Sequence, residues 1–243
     1  MTARTAVLER APAMGLAAVE YGRFAQLVQD LDAADLSRPT DCPDWDVRAM
    51  AGHVLGMAEM VTSLPAFIGQ NAAAARAGGG IDALTGLQVR RTAGLSTEEL
   101  VARLVAVGPR AVRGRRRLSA VLGRLPLPEK QVVGSETELW RFGYLFDVIL
   151  TRDTWMHRMD VSRATGREPE LTADHDAVLV ADVVAEWAAR HGRPYRLRLT
   201  GPAGGTWSAG EGGDELELDA VEFCRLLSGR GSGAGLLAQQ VPF

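Results

Sequence analysis

The stretch from Phe142 to Gly166, FGYLFDVILTRDTWMHRMDVSRATG, decides the fold. At about 100° per residue, Phe142, Phe146, Ile149, Asp153, His157, Asp160 and Ala164 fall within about 40° of one direction on a helical wheel. They make one stripe of a long helix, which Gly166 ends. Arg141, Arg152, Arg158 and Arg163 lie on the flanks or the far side, so the ionisable groups in the stripe are not there for want of a wet face. An unpaired carboxylate is costly to bury, and Asp153 therefore needs a cation partner or a metal ion. A helix of this kind belongs in a bundle, where sites are built between facing helices.

Upstream, Phe24, Leu27, Val28 and Leu31 recur at helical spacing and predict a first helix from about Leu16 to Leu36. After the loop SRPTDCPDW, Asp46 is placed to cap a second helix that passes Val47, Met50, His53 and Met57 and reaches about Ser63, where Pro65 bends or ends it. An Ala-rich run from Asn71 leads into Gly78, Gly79 and Gly80, which read as a flexible break. Ser96 with Glu99 forms a capping-box pattern that opens a third helix toward Leu122, and Ser135 with Glu138 repeats the pattern ahead of the fourth.

Beyond a linker at Gly166 to Leu171 the pattern changes. A helix around Val178 to Arg190 stops at Gly192, and Tyr195, Leu197 and Leu199 then alternate with Arg196 and Arg198 as in a half-buried strand. Trp207 sits between two glycine-rich turns, Leu216 and Leu218 alternate again, and Asp219 with Glu222 caps a last helix through Phe223 and Leu227. The expected fold class is α+β, with a four-helix bundle at residues 11–165 and a small α/β domain at 172–243. Neither glycine cluster has a phosphate-binding form.

Composition narrows the function. With 47% apolar and 23% charged residues, the 243-residue chain is neither a disordered tail nor a fibre. The 27 Lys and Arg against 30 Asp and Glu give a net charge of -3, which offers no general attraction to nucleic acid or to an anionic membrane. The arginines at 110, 113, 115, 116 and 117 fall within the third helix and read as a solvated face. The start carries charges and Pro12 where a signal peptide needs an unbroken apolar run, and no later run approaches a membrane span, so a cytoplasmic location is expected. Cys42 and Cys224, far apart, read as reduced thiols.

His53 repeats the oddity of the fourth helix, because its stripe-mates are Ala49, Met50, Met57, Met60 and Leu64. Two histidines and one carboxylate on facing helices make a three-ligand set with an open position, the arrangement of catalytic zinc. The plainer alternative gives His53 a backbone carbonyl and makes Asp153 and His157 a buried ion pair. Two independent anomalies on facing helices favour the metal.

The segment Cys42-Pro43-Asp44-Trp45-Asp46-Val47-Arg48 followed by His53, taken with Asp153-Thr154-Trp155-Met156-His157 and Asp160 through Gly166, resembles the mycothiol-dependent maleylpyruvate isomerase family of actinobacteria. The turn from Gly201 to Gly205 and the ending Leu227-Ser228-Gly229-Arg230 carry the resemblance into the second domain. It implies a DinB-like four-helix bundle followed by a domain resembling sterol carrier protein 2. In that family a histidine on the second helix and a Glu-x-x-x-His pair on the fourth hold a divalent metal, usually zinc. By resemblance the ligands are His53, Asp153 and His157, with Asp153 standing where the family commonly has Glu.

The same resemblance implies mycothiol as thiol cosubstrate, a small electrophilic molecule as its partner, and isomerisation or S-transfer as the reaction. Arg230 matches a functionally important arginine of the second domain, with Arg225 as the alternative. Two other readings stay open: a metal hydrolase that needs no thiol, and a metal-less small-molecule binding protein. Asp160 can orient a ligand histidine or pair with Arg163, while Cys42, Trp45 and Trp155 read as packing residues.

Overall fold

In the computed structural model, which describes residues 3–243, helix α1 (Arg10–Gln29) stops well short of Leu36. Asp32 intervenes: its carboxylate accepts from Asp35 N and starts a separate turn, α2 (Ala33–Leu36). Helix α3 (Val47–Met60) begins as its sequence requires, with the Asp46 carboxylate accepting from Ala49 N at 2.7 Å. Pro65 starts a helix instead of ending one. Ser63 caps α4 (Leu64–Arg76), and proline is tolerated in a first turn because its missing N–H has no intrahelical partner there.

The Ala-rich run is the second half of α4, and the glycines at 78–80, with φ of 115°, 78° and 77°, turn the chain into a further helix, α5 (Gly80–Thr92). Periodicity does not reveal α5, because its buried positions are Leu84, Gln88 and Thr92, two of them polar. Helix α6 (Thr97–Leu122) opens on the expected capping box, Glu99 N donating to Ser96 Oγ and Ser96 N to Glu99 Oε2. Arg110, Arg113, Arg116 and Arg117 are exposed. Arg115 departs from the expected solvated face and is fully buried.

Ser135 and Glu138 do not cap the fourth helix. Gly134, at φ 60°, turns a hairpin of β1 (Gln131–Val133) and β2 (Glu136–Glu138), and the Glu138 carboxylate accepts from Arg190 Nη2 at 2.8 Å. The helix starts at Phe142 with a short turn, α7 (Phe142–Tyr144), passes through a π turn at Leu145–Ile149, and continues as α8 (Leu150–Thr165). In the π turn Leu150 N reaches back to Leu145 O. The Phe146 carbonyl thereby loses its α-helical donor, and Arg115 Nε replaces it at 2.7 Å while Arg115 Nη2 holds Thr151 Oγ1 at 2.7 Å.

Helix α8 also departs from the expected wet flank. Arg152 and Arg158 are as buried as the apolar stripe. Arg158 donates to both oxygens of Glu20 on α1, at 2.7 and 3.1 Å, a bidentate pair closed off from solvent.

The chain divides into two units. Residues up to Glu129 with Leu139–Pro169 form the helical one; Lys130–Glu138 with Glu170–Phe243 form the other. In the second, α9 (Asp176–His191) ends at Gly192 in the left-handed conformation, and strand β3 (Tyr195–Thr200) pairs antiparallel with β4 (Gly205–Ala209) and parallel with β5 (Asp214–Asp219). Asp219 then caps α10 (Ala220–Leu227). Val180, Val184, Trp187, Leu197, Leu199, Phe223 and Leu227 make the buried apolar set of this unit. The architecture is α+β, and among the described residues no helix is long and apolar enough to cross a membrane.

In the first unit α6 crosses the end of α3 at Gly114, where an added Cβ would lie 1.9 Å from the Val61 carbonyl oxygen. Gly114→Ala should therefore lower stability by about 1–3 kcal/mol. Gly22→Ala, on an exposed turn of α1 with open space around it, should be neutral or stabilise by about 0.5–1 kcal/mol. Denaturant midpoints of the two variants, which should move in opposite directions or not move together, check the packing assignment.

Candidate metal centre

Helices α3 and α8 bring His53, Asp153 and His157 together, with one donor atom from each lying within 4.8 Å of the others. Asp153 Oδ1 is 3.3 Å from His157 Nε2, one helical turn on, and Asp153 Oδ2 is 3.6 Å from His53 Nε2 across the helix interface. The two imidazole rings stand edge to face, with centroids 5.1 Å apart. Both rings point Nε2 at the same carboxylate.

The opposite nitrogens are also engaged. His157 Nδ1 lies 3.2 Å from Asp160 Oδ2, and His53 Nδ1 lies 3.1 Å from Gln88 Oε1 on α5. An acceptor at Nδ1 places the proton there and leaves the Nε2 lone pair free to ligate.

Burial pushes the Asp153 carboxyl up, but the charge and hydrogen bonding of His157, with a weaker attraction from His53, outweigh it and hold the group well below the usual carboxylate range. Burial likewise pushes His157 down, and Asp153 with Asp160 overcomes it and raises the imidazole to about 9. Without a metal, then, Asp153 and His157 form an imidazolium–carboxylate pair. That pair uses Oδ1 alone: Asp153 Oδ2 is buried with no hydrogen-bond partner and faces His53 Nε2. An orphaned buried carboxylate oxygen opposite a second imidazole fits a divalent cation better than it fits a finished ion pair.

Trp45 packs against the helical core, as expected, and against both histidines. Its ring lies 4.8 Å from that of His53 and 5.9 Å from that of His157. The CPDW loop holds it there: Trp45 N donates to Cys42 O at 2.9 Å, and the Trp45 carbonyl accepts from both Thr40 N and Thr40 Oγ1. Cys42 also has a place in the site, since donor atoms of Cys42, His157 and Asp160 lie within 4.8 Å of one another. Neither role was visible in sequence, where a loop has no period to align its side chains with a helix. Arg230 belongs to the second unit, half-buried after α10, with its N donating to Arg225 O at 3.0 Å.

Residues 17–162 match the family model described as the mycothiol maleylpyruvate isomerase N-terminal domain, more than half of the chain. Two solved structures resemble the fold. A crystal structure of the mycothiol-dependent maleylpyruvate isomerase is 17% identical, with a TM-score of 0.57 over 93% of this chain and 91% of that one. A structure of a histidine-to-alanine mutant of mycothiol-dependent maleylpyruvate isomerase is 15% identical, with a TM-score of 0.52 and the same coverage. At such identities the likeness is one of fold. No curated protein matches the chain.

The purified protein should carry about one divalent metal ion per chain, as a three-donor site of this kind binds one. Elemental analysis should find it lost in His53→Ala and His157→Ala, lost in Asp153→Ala, and kept in Asp153→Glu. Retention in all three alanine variants would remove the site.

The pH dependence has a definite sign. Because the His157 pKa is raised from 6.5 to about 9, the metal-free protein holds this contribution to stability in full below about pH 6.5 and loses it as pH rises through about 9. Zinc reverses the trend, since a ligand imidazole must be deprotonated. The rise in Tm on adding zinc should grow across that window, and His157→Gln should flatten both curves.

Proposed function

Because the chain belongs to the mycothiol maleylpyruvate isomerase family, matching its N-terminal domain over residues 17–162, we propose that it is a mycothiol-dependent enzyme that isomerises a small electrophilic molecule or joins the thiol to it as an S-transferase. His53, Asp153 and His157 hold the divalent cation, zinc in the first instance. The observation that carries this reading is the single carboxylate set between two Nε2 atoms, at 3.3 and 3.6 Å, with one of its oxygens unpaired.

A divalent cation bound there supplies the Lewis acidity that keeps a thiol sulfur as thiolate near neutral pH. The ligand set brings one negative charge, from Asp153, which leaves room for one anionic sulfur. Asp160 and Gln88 keep the Nδ1 protons of the two histidines away from the donor side. Trp45 packs against both rings, 4.8 Å from His53 and 5.9 Å from His157, and adds an apolar wall beside them.

Addition of the mycothiol sulfur to one carbon of an activated double bond forms a C–S bond and moves the π electron pair onto the conjugated carbonyl. The former double bond is then free to rotate. Return of the electron pair expels the thiolate and restores the double bond in the other geometry; protonation of the carbon instead leaves a stable thioether. One site thus accommodates isomerisation and S-transfer. The resemblance noted in sequence is what supports Arg230 as the cation for a carboxylate on the electrophile; the alternative, Arg225, is buried and lies 3.4 Å from Glu222.

Cobalt-loaded protein tests the chemistry. Adding mycothiol should produce a near-ultraviolet sulfur-to-cobalt band, absent in His157→Ala, and turnover of an electrophilic substrate should require the thiol. Hydrolysis of an ester or amide at full rate in thiol-free buffer, with no such band, would assign the site to a metal hydrolase. Arg230→Ala should raise KM for an anionic electrophile while metal content stays unchanged.

A further inference from the structure

The His53 side chain is tied to a line of buried amides that the proposed chemistry does not by itself require. Gln70 Nε2 donates to the Gly56 carbonyl at 3.2 Å, Gln88 Nε2 donates to Gln70 Oε1 at 3.0 Å, and Gln88 Oε1 lies 3.1 Å from His53 Nδ1. Gln70, Gln88 and His53 are 8%, 1% and 2% exposed, so water does not compete for these groups. Three helices contribute: His53 and Gly56 from α3, Gln70 from α4, Gln88 from α5.

The close approach is built in. Gly52 and Gly56 present one bare face of α3, and Thr92 and Gln88 of α5 fill it. A Cβ on Gly56 would lie 2.5 Å from Gln88 Cβ and Cγ, and one on Gly52 would lie 2.2 Å from Thr92 Oγ1. A larger residue at Gly56 runs directly into Gln88, and one at Gly52 into Thr92 one turn further along α5.

The line has a direction, set at its far end. A backbone carbonyl can only accept, so the end of Gln70 that meets Gly56 O is its amide nitrogen, and Gln70 Oε1 is left to accept from Gln88. Met57 Sδ, another atom with no proton, lies 3.2 Å from Gln88 Nε2 and orients that amide the same way. Gln88 Oε1 therefore faces His53 and can only accept, which puts the imidazole proton on Nδ1. Reversing the tautomer would require both glutamines to flip and would set Gln70 Oε1 against the Gly56 carbonyl oxygen.

We propose that Gln88 and Gln70 form an amide relay that fixes His53 as the Nδ1–H tautomer and so presets Nε2 as a metal-binding lone pair. Both are positioning residues, and Gln70 acts without touching the histidine. The proposal rests on the reading of His53 as a metal ligand. It also distinguishes the two histidines: His157 is oriented by a carboxylate, His53 by a neutral amide that adds no charge to the site.

The test reads the tautomer directly, in metal-free protein with 15N-labelled histidine, at about pH 8, above the ordinary histidine range. The chain has four histidines, and loss of one signal set in His53→Asn assigns it. In the parent, long-range proton–nitrogen correlations should show a protonated Nδ1 and an unprotonated Nε2 for His53. Gln88→Leu should give the other tautomer or a mixture and lower zinc affinity by about 10- to 100-fold, measured against a competing chelator. Gln70→Leu should move both readouts the same way by less, and Gln88→Glu, which keeps an acceptor, should restore the parent tautomer.

A protonated Nε2 in the parent overturns the relay, as does an unchanged tautomer in both leucine variants. Should Gln88→Leu fail to fold, the parent spectrum and Gln70→Leu decide. The outcome is separable from that of the metal assignment: a parent that takes up no zinc but shows the stated tautomers overturns the metal site and supports the relay, and a zinc-binding parent with indifferent tautomers does the reverse.

Discussion

Burying an ionised side chain costs several kcal/mol unless a partner meets it, and α8 carries Arg152, His157, Arg158 and Asp160 at 6% exposure or less, with Asp153, its side chain 19% exposed, between them. The helix has no wet face to retreat to before Arg163. Each polar group must therefore find its counterpart on a particular neighbour: Glu20 of α1 meets Arg158, and His53 of α3 meets Asp153. Arg115 of α6 serves the π turn that precedes the helix. These contacts fix both the height and the rotation of α8. Moving it by one residue would turn every pair by about 100° and leave the charges buried without partners, at about 3–5 kcal/mol for each pair broken.

The π turn is part of the same constraint. It inserts one residue between the apolar start of the helix and the end that carries Asp153 and His157. Phe142 and Phe146, stacked at 5.7 Å, pack against Phe67 of α4, whereas His157 one turn past Asp153 meets His53 of α3. The wheel drawn from sequence assumes an unbroken α-helix and merges these two ends into one stripe. The structure divides that stripe between two neighbours, and the buried guanidinium of Arg115 satisfies the carbonyl that the division exposes.

What was legible in the sequence follows from how local its cause is. Asp46, the Ser96–Glu99 box and Asp219 cap helices as read, because a cap is settled by residues within one turn. Ser135 and Glu138 carry the same local pattern and fail, because Gly134 turns a hairpin and Arg190, 52 positions away, takes the carboxylate. His53, Asp153 and His157 were legible because ionisable groups on apolar stripes stand out. Gln88 and Gln70 were not, since a neutral amide on a weakly patterned helix is no anomaly; the available signal was the Gly52–Gly56 pair, which asks for a close neighbour. Arg115 and Glu20 were hidden for the opposite reason, as charged residues that by default belong at the surface.

Asp153 shows how far helix placement, more than side-chain length, decides which groups meet in the cluster. The resemblance noted in sequence leads one to expect a glutamate, whose carboxylate would extend one methylene further. In this chain the shorter acid already spans both imidazoles, at 3.3 Å along its own helix and 3.6 Å across to α3. It can do so because α8 is held at its height by Glu20 and Arg115, neither of which touches the site. The geometry of the His53–Asp153–His157 cluster is thus inherited from buried pairs that lie outside it. A carboxylate held this close to two Nε2 atoms must either face an imidazole that has taken a proton from solvent, as the raised pKa of His157 indicates, or share both with a cation. Proton and metal compete for the same lone pairs, and the surrounding acceptors, Asp160 and Gln88, keep those lone pairs aimed at one point in either state.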